Sequence, residues 1–154
     1  MSGAGVALRG ASHLYAVGLR TNCVALSKEY GATEVINYCE GDIIEQILQK
    51  THDRGVDKVV IVGGVNENFL QAARMIKPGG RIGNFNYWAQ GKPAPCVEWE
   101  CGMGHKVIVG RLVPGDCLSM KKLASLMEMG RLQLGKMLTQ SSIDLTKWGM
   151  RYNR

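Results

Sequence analysis

The sequence predicts an α/β fold in which an open sheet of parallel strands carries helices on both faces. Short β-prone runs alternate with helix-like patterns along most of the 154 residues. The run VDKVVIV at 56–62 is apolar enough for a buried central strand. Glycine is frequent, with 20 residues, and several glycines stand where a predicted element ends.

The first elements are short. Residues 1–9 are small and compatible with a helix, and the β-prone run at 13–17 is closed by Gly18. A helix is predicted over 21–30, where Gly31 ends it. Along the chain, one predicted helix therefore precedes the first predicted strand and another follows it.

The middle of the chain gives clearer signals. A second short strand is predicted at 34–38, and a helix at 42–50 places its isoleucines and a leucine on one face. The strongest strand, 56–62, follows and stops at the glycine pair 63–64. Strand, helix and strand in this order indicate a parallel crossover unit.

The pattern continues to residue 129. A helix is predicted at 66–76, a Lys-Pro-Gly-Gly turn at 77–80 and a strand at 81–86. A further strand is predicted at 106–112, and a last helix at 118–129.

In parallel sheets of this kind, ligands bind outside the carboxyl ends of the strands. In dinucleotide-binding folds the second strand commonly ends in an acidic residue that binds the ribose 2′-hydroxyl. If the run at 13–17 is that second strand of the fold, Arg20 stands where the acidic residue is expected. A guanidinium pairs with a 2′-phosphate, which a carboxylate would repel. The alternative is that Arg20 is an ordinary surface arginine.

No complete phosphate loop or catalytic group of residues is found. Gly3, Gly5 and Gly10 have the spacing G-x-G-x-x-x-x-G and follow no strand, so close helix packing is favoured over a dinucleotide loop. Cys96, Cys101 and His105 are spaced more widely than the ligands of most structural zinc sites, which favours ordinary loop residues.

Charge and cysteine content narrow the class of protein. Residues 1–105 carry ten basic and ten acidic side chains, whereas residues 106–154 carry nine basic and three acidic ones. That excess of basic side chains is more typical of a solvated face, or of a surface that meets another subunit or domain, than of nucleic-acid binding.

Five cysteines without a C-x-x-C pair favour free thiols and a cytoplasmic location. No secretory signal or membrane-spanning run is visible.

Several strings together resemble one known family. EYGATEVINY, VDKVVIVGG, IKPGGRIGNFNYW and CVEWECGMGHKVIVGRLVPGD are similar to the cofactor-binding half of the zinc- and NADP-dependent secondary alcohol dehydrogenases, in the medium-chain dehydrogenase superfamily. The resemblance extends from Met1 to about Thr139. It implies a Rossmann-like, doubly wound parallel sheet and a tetrameric enzyme that oxidises secondary alcohols to ketones with NADP.

The resemblance also implies site residues. In the family, the end of the second strand and a later tyrosine bind the adenosine 2′-phosphate, and the segment after the fifth strand contacts the nicotinamide. Leu19 stands where the family has serine, which removes one hydroxyl donor. The cofactor-binding residues implied are Gly18, Leu19, Arg20, Tyr38, Phe85, Asn86 and Tyr87.

Aligned in this way, Met1 falls within the first helix of the cofactor domain. We therefore expect residues 1–114 to be an NADP-binding domain that lacks its first strand and glycine fingerprint, and 115–154 to be a segment that packs on a catalytic domain in the family. The family's zinc ligands have no counterpart here, so no catalytic or metal-binding residue is assigned and this chain alone is expected to be inactive.

Two other functions are left open by the sequence. The chain could be a non-enzymatic oligomerisation module with vestigial nucleotide binding. It could also be an S-adenosylmethionine methyltransferase-like domain, although such domains generally need an acidic residue where Arg20 stands. Binding of a nucleotide cofactor, and not of nucleic acid or a membrane, is the expected partnership, together with homo-oligomer formation.

Overall fold

The computed structural model describes residues 2–65, 67–86, 104–110 and 115–137. It divides into two compact units, Met1–Pro114 and Gly115–Arg154, which are described separately below.

The first unit alternates helices and strands in the order that the sequence predicts. Most element ends lie within two residues of the predicted ones; β4 starts earlier, and residues 66, 111 and 112 lie outside the described residues. The elements are α1 (Ser2–Leu8), β1 (Tyr15–Val17), α2 (Thr21–Glu29), β2 (Glu34–Ile36), α3 (Ile43–Lys50), β3 (Val56–Ile61), α4 (Glu67–Met75), β4 (Ile76–Asn84) and β5 (Val107–Gly110).

All strand pairs in the described residues are parallel, which confirms the predicted fold class. The strands form two sheets: β1 pairs with β2, and a second sheet has the order β3-β4-β5. No described residue of β1 pairs with β3.

The Lys-Pro-Gly-Gly segment at 77–80 is predicted as a turn before a strand, and the structure corrects this, because the segment lies inside β4. Val56 pairs with Ile76, and Lys58 pairs with Arg81, so the register of β4 shifts between them. Gly79 takes a φ of +75°, which is a conformation that glycine adopts without steric cost. Residues 77–80 therefore form a bulge within a continuous strand. The Lys-Pro-Gly-Gly pattern alone does not show whether these residues form such a bulge or a turn between two elements.

In the described residues of the first unit, the core consists of two clusters of buried side chains. The larger cluster joins α4 to β3 and β4, and its members are Ile61, Phe69, Ala72, Ala73, Ile76 and Ile82. The smaller cluster joins β2, α3 and α4 through Ile36, Ile47 and Met75. Tyr15 of β1 and Val59 of β3 pack against this smaller cluster, so it receives side chains from both sheets.

The second unit contains α5 (Cys117–Glu128) and a short 3₁₀ helix, Leu134–Met137. Asp116 caps α5, because its side chain accepts a hydrogen bond from the Ser119 N–H. The hydrogen bond of the carboxylate lowers the pKa of Asp116. Among the described residues of this unit, only Leu132 is a buried hydrophobic side chain.

The helices of both units are short. Within the described ranges, none of them has the length and apolar character that a bilayer crossing requires.

Candidate functional site

The carboxyl ends of β1 and β2 lie side by side. Val17 is the register partner of Ile36, and the Gly18 N–H donates a hydrogen bond to the Ile36 carbonyl at 3.1 Å. The segment Gly18–Leu19–Arg20 therefore leaves the sheet directly beside the end of β2. A Cβ atom on Gly18 would meet no atom within 4 Å, so this segment borders open space.

Arg20 is the N-cap residue of α2. Its backbone is extended, with φ −65° and ψ 124°, its carbonyl accepts the Val24 N–H at 2.9 Å, and its side chain makes no capping hydrogen bond. In the part of the chain that the structure describes, no carboxylate forms an ion pair with its guanidinium. The first turn of α2 also lacks acidic residues. An exposed guanidinium beside a helix N-terminus favours an anion.

Tyr38 lies two residues beyond β2, on a loop that is held by the side chain and backbone of Asn37. The Asn37 Oδ1 accepts from the Cys39 N–H at 3.0 Å, and its Nδ2 donates to Glu40 Oε1 at 2.7 Å. Gln46 Nε2 from α3 donates to the Asn37 carbonyl at 3.0 Å. The loop is thereby fixed while the Tyr38 ring stays exposed. Asn37 is not among the residues predicted from the sequence, although an asparagine just after a strand is a typical turn-forming residue.

Phe85 and Asn86 follow β4 and lie close to the end of β3. The Phe85 N–H donates to the Ile61 carbonyl at 2.9 Å, and the Asn86 side-chain amide reaches the Gly64 carbonyl at 3.4 Å. Asn84 Oδ1 accepts from the Asn86 N–H at 3.0 Å, which fixes the backbone at this point. Gly64 has a φ of +100°, so its conformation suits glycine.

The implied cofactor-binding residues thus form two groups at strand ends. Gly18, Leu19, Arg20 and Tyr38 follow β1 and β2, whereas Phe85 and Asn86 follow β4. Tyr87 lies outside the described residues. Their cofactor-binding role stays a prediction, since no ligand contact tests it.

His, Cys, Asp and Glu side chains are the candidates for a metal site. In the described ranges, no three His, Cys, Asp or Glu side chains converge in a way that could hold a metal ion. His105 lies in a turn with φ +52°, and Cys96 and Cys101 lie outside the described residues. The cysteines at 23, 39 and 117 are free and exposed.

Comparison with known proteins identifies similar sequences. The family described as zinc-binding dehydrogenase matches residues 1–130. An NADP-dependent isopropanol dehydrogenase of Entamoeba histolytica is 50% identical over 149 residues, which are 96% of this chain and 41% of the relative. The enzyme of the same name from Thermoanaerobacter brockii is 44% identical over 141 residues, 90% of this chain and 40% of the relative. The chain spans about two fifths of the length of these curated relatives.

Solved structures show the same fold. Benzyl alcohol dehydrogenase from Acinetobacter calcoaceticus superposes with a TM-score of 0.76 and 25% identity over 86% of this chain and 37% of the other. An alcohol dehydrogenase zinc-binding domain protein from Burkholderia ambifaria gives a TM-score of 0.77 and 25% identity over 88% of this chain and 37% of the other.

Proposed function

This chain belongs to the zinc-binding dehydrogenase family, and from that membership we propose that it supplies the NADP-binding part of an enzyme that transfers hydride between secondary alcohols or ketones and NADP(H). The single observation that carries the cofactor choice is Arg20, an exposed arginine at the end of β1 and at the N-terminus of α2. In dinucleotide folds the residue after the second strand distinguishes NAD from NADP, and we take β1 to be that strand.

The residues after β1 and β2 fit an adenosine 2′-phosphate. A guanidinium presents several N–H donors to phosphate oxygens, and the N-terminus of α2 adds a partial positive charge. The Gly18 backbone leaves room for the ribose, because no neighbouring atom lies within 4 Å of its Cβ position. Tyr38 offers an exposed ring against which an adenine base can stack. The Leu19 side chain contributes no hydrogen-bond donor, so the Arg20 side chain carries most of this interaction.

Phe85, Asn86 and Tyr87 are proposed to contact the nicotinamide end of the cofactor. When bound, NADP⁺ would accept the hydride from an alcohol, or NADPH would donate it to a ketone, and these residues would orient the nicotinamide ring. The backbone after β4 is suited to this role because Asn84 and Gly64 hold Asn86 in place. The residues of the described ranges offer no ligand set that fits zinc, so the roles proposed for this chain concern the nucleotide alone.

We further propose that the chain forms homo-oligomers in the cytoplasm, with the family's tetramer as the expected state. β5 pairs on one side with β4, and in the described part of the chain its other side has no partner. All of its residues are exposed, including Val107, Ile108 and Val109. An exposed apolar edge strand is suited to pairing with another copy.

A charge-reversal experiment tests the cofactor proposal. In a chimera, the residues of this chain that align with the Thermoanaerobacter brockii enzyme replace the matching segment of that enzyme. Binding of NADPH and of NADH is measured by titration calorimetry for the chimera and for its Arg20→Asp variant. Loss of the charge-assisted contact removes about 1.5–3 kcal/mol, so NADPH affinity is expected to fall roughly ten- to a hundredfold. NADH affinity is expected to change little, because the new carboxylate accepts from ribose hydroxyls.

Arg9→Asp is the matched control, since Arg9 is also exposed but follows α1 and precedes β1, so it does not follow the carboxyl end of a described strand. Equal loss of both cofactors in Arg20→Asp would make Arg20 a structural residue. No loss of either would show that the 2′-phosphate assignment is wrong. Oligomers that bind neither nucleotide would support the oligomerisation module instead.

A further inference from the structure

The loop of residues 37–41 joins β2 to the N-cap of α3 and carries Tyr38. It begins with Asn37 and ends with Gly41, and both residue types are typical of turns. Gly41 has a φ of +149°, a conformation that residues with a side chain rarely adopt. The backbone of this loop determines where the Tyr38 ring is held.

The Gln46 side chain of α3 joins the two ends of the loop. Its Nε2 donates to the Asn37 carbonyl at 3.0 Å and to the Gly41 carbonyl at 3.2 Å. A side-chain amide has two N–H donors, so this one group can bond both carbonyls. Because a carbonyl oxygen only accepts, the NH₂ end of the amide is the end that fits here. One side chain therefore closes the loop at its first and last residues.

Gln46 is itself held in place by the packing of α3. The N-terminus of this helix is capped by Asp42, whose Oδ1 accepts from the Ile44 N–H at 2.7 Å. The residue after Gln46, Ile47, is 2% exposed and lies in the same buried cluster as Ile36, the last residue of β2. The helix that carries Gln46 and the strand that leads into the loop are therefore packed on each other.

Two further hydrogen bonds fix the inside of the loop. Asn37 Oδ1 accepts from the Cys39 N–H at 3.0 Å, and Asn37 Nδ2 donates to Glu40 Oε1 at 2.7 Å. The backbone is thus held on both sides of Tyr38, which is 51% exposed. A ring presented in this way needs little further ordering when a flat base stacks on it, and less ordering leaves more of the contact as affinity.

We propose that Gln46 is a positioning residue for the adenine end of the cofactor, and that it acts through loop 37–41 on the Tyr38 ring. The inference rests on the proposed function, in which Tyr38 stacks on the adenine. Gln46 holds the backbone of the loop, and the ring makes the contact with the base.

This role differs from that of Arg20 in the nucleotides that it affects. NADP and NAD share the adenine, whereas only NADP carries the 2′-phosphate that Arg20 is proposed to bind. Gln46 therefore sets the affinity for both nucleotides by a similar factor, while Arg20 sets the preference for one of them.

Titration of the 154-residue chain with two adenine nucleotides tests the proposal. Adenosine 2′,5′-bisphosphate carries the 2′-phosphate, and adenosine 5′-monophosphate lacks it; NMR chemical-shift titration gives both dissociation constants even when binding is weak. Gln46→Met keeps the length of the side chain and removes the N–H donors, so it should weaken both nucleotides roughly threefold to tenfold. Arg20→Asp should weaken the bisphosphate alone.

Gln49→Met is the matched control, because Gln49 lies later in the same helix and is exposed. This variant removes the same amide from α3 and should leave both dissociation constants unchanged. Thermal unfolding shows whether each variant is folded at the temperature of the titration. Gln46→Asn keeps the amide on a shorter side chain that cannot reach both carbonyls, so it should give a smaller loss and provides the test if the methionine variant does not fold.

A double-mutant cycle with Tyr38→Ala separates positioning from a general effect on stability. If Gln46 acts through the ring, adding Gln46→Met to Tyr38→Ala should cause no further loss of affinity for the bisphosphate. If Gln46 only stabilises the fold, the loss should be the same with and without the ring.

Three results would overturn the proposal. Unchanged affinity for both nucleotides in folded Gln46→Met and Gln46→Asn would remove the role of Gln46 and leave the proposed function standing. An equal loss in the presence and absence of the Tyr38 ring would make Gln46 a structural residue. Binding of neither nucleotide by the unaltered chain would contradict the proposed function first, and the role of Gln46 would fail with it.

Discussion

The two sheets of the first unit differ in how they are stabilised. The β3-β4-β5 sheet has its own cluster of six buried side chains, which includes Ile82 at 0% exposure. In the β1–β2 sheet, only Ile36 is a buried strand residue, and it packs on Ile47 and Met75 from helices. The comparison shows that Arg20 and Tyr38 follow the sheet with fewer buried strand residues, whereas Phe85 and Asn86 follow the sheet that contributes three buried strand residues to its core.

Truncation of one buried isoleucine in each sheet tests this difference most strongly. We expect Ile82→Ala to lower the free energy of unfolding by about 3–5 kcal/mol, because it opens a cavity in the larger cluster. Ile36→Ala is expected to cost about 2–3 kcal/mol and to speed amide exchange in β1 and β2 while β3 and β4 stay protected. Urea denaturation and hydrogen exchange measure both effects.

Val65→Ala serves as the control for these variants, because Val65 is exposed and lies outside β5, so its truncation should change stability by less than about 0.5 kcal/mol. Equal loss of protection in both sheets after Ile36→Ala would contradict the comparison, since it would mean that the unit opens only as a whole.

The order of elements could be predicted from the sequence because it depends on local patterns. The apolar face of α3, with Ile43, Ile44 and Ile47, and the valine-rich run of β3 identify their elements without knowledge of the rest of the chain. The same order of elements predicted that Arg20 lies after the carboxyl end of a strand.

Other features could not be predicted because they depend on contacts between distant residues. The bulge at 77–80 is fixed by pairing with β3 and by the Gly79 N–H, which donates to the Gly104 carbonyl at 2.8 Å. The partial exposure of Val60 reflects the absence of a described neighbour on one side of β3, which the composition of that strand does not reveal. The fixation of the Tyr38 loop by Gln46 likewise joins two separate elements.

The outer edge of the larger sheet provides the next test. If β5 mediates self-association, Ile108→Lys should raise the dissociation constant of the oligomer at least roughly tenfold, because a buried lysine charge opposes the contact. Analytical ultracentrifugation measures this shift. Val62→Lys is the matched control, because Val62 is also exposed but directly follows β3. An equal shift in both variants would show that β5 is not the specific interface.

A smaller effect on cofactor binding is expected from Leu19, which follows the carboxyl end of β1. Leu19→Ser restores a hydroxyl beside Arg20, and one additional hydrogen bond to phosphate contributes about 1 kcal/mol. NADPH binding to the chimera should therefore tighten roughly fivefold, while NADH binding stays the same. Leu19→Ala separates the hydroxyl from the loss of the exposed leucine. An equal gain in both variants would assign the effect to the removed side chain.

The smallest expected effect is a different pH response of the two sheets. In the larger sheet, Lys77 forms an ion pair with Asp57, and its hydrogen bond lowers the pKa of Asp57. In the smaller sheet, the hydrogen bond to Glu34 raises the pKa of Lys50. The lowered carboxyl pKa stabilises the fold above the pKa of the unfolded chain, and this stability is lost as the pH falls through the folded value. The raised lysine pKa stabilises the fold below its unfolded value, and this stability is lost as the pH rises through the folded value.

Asp57→Asn should therefore flatten the acid side of the stability profile, and Lys50→Met the alkaline side. Both pairs are largely exposed, so salt should weaken both effects. Urea midpoints measured across the pH range at low and high salt provide the test, with local exchange rates reporting which sheet responds. Acid sensitivity that survives Asp57→Asn would assign it to other carboxylates. Alkaline sensitivity at β3 and β4 rather than at β1 and β2 would show that the two sheets are coupled more tightly than their separate cores indicate.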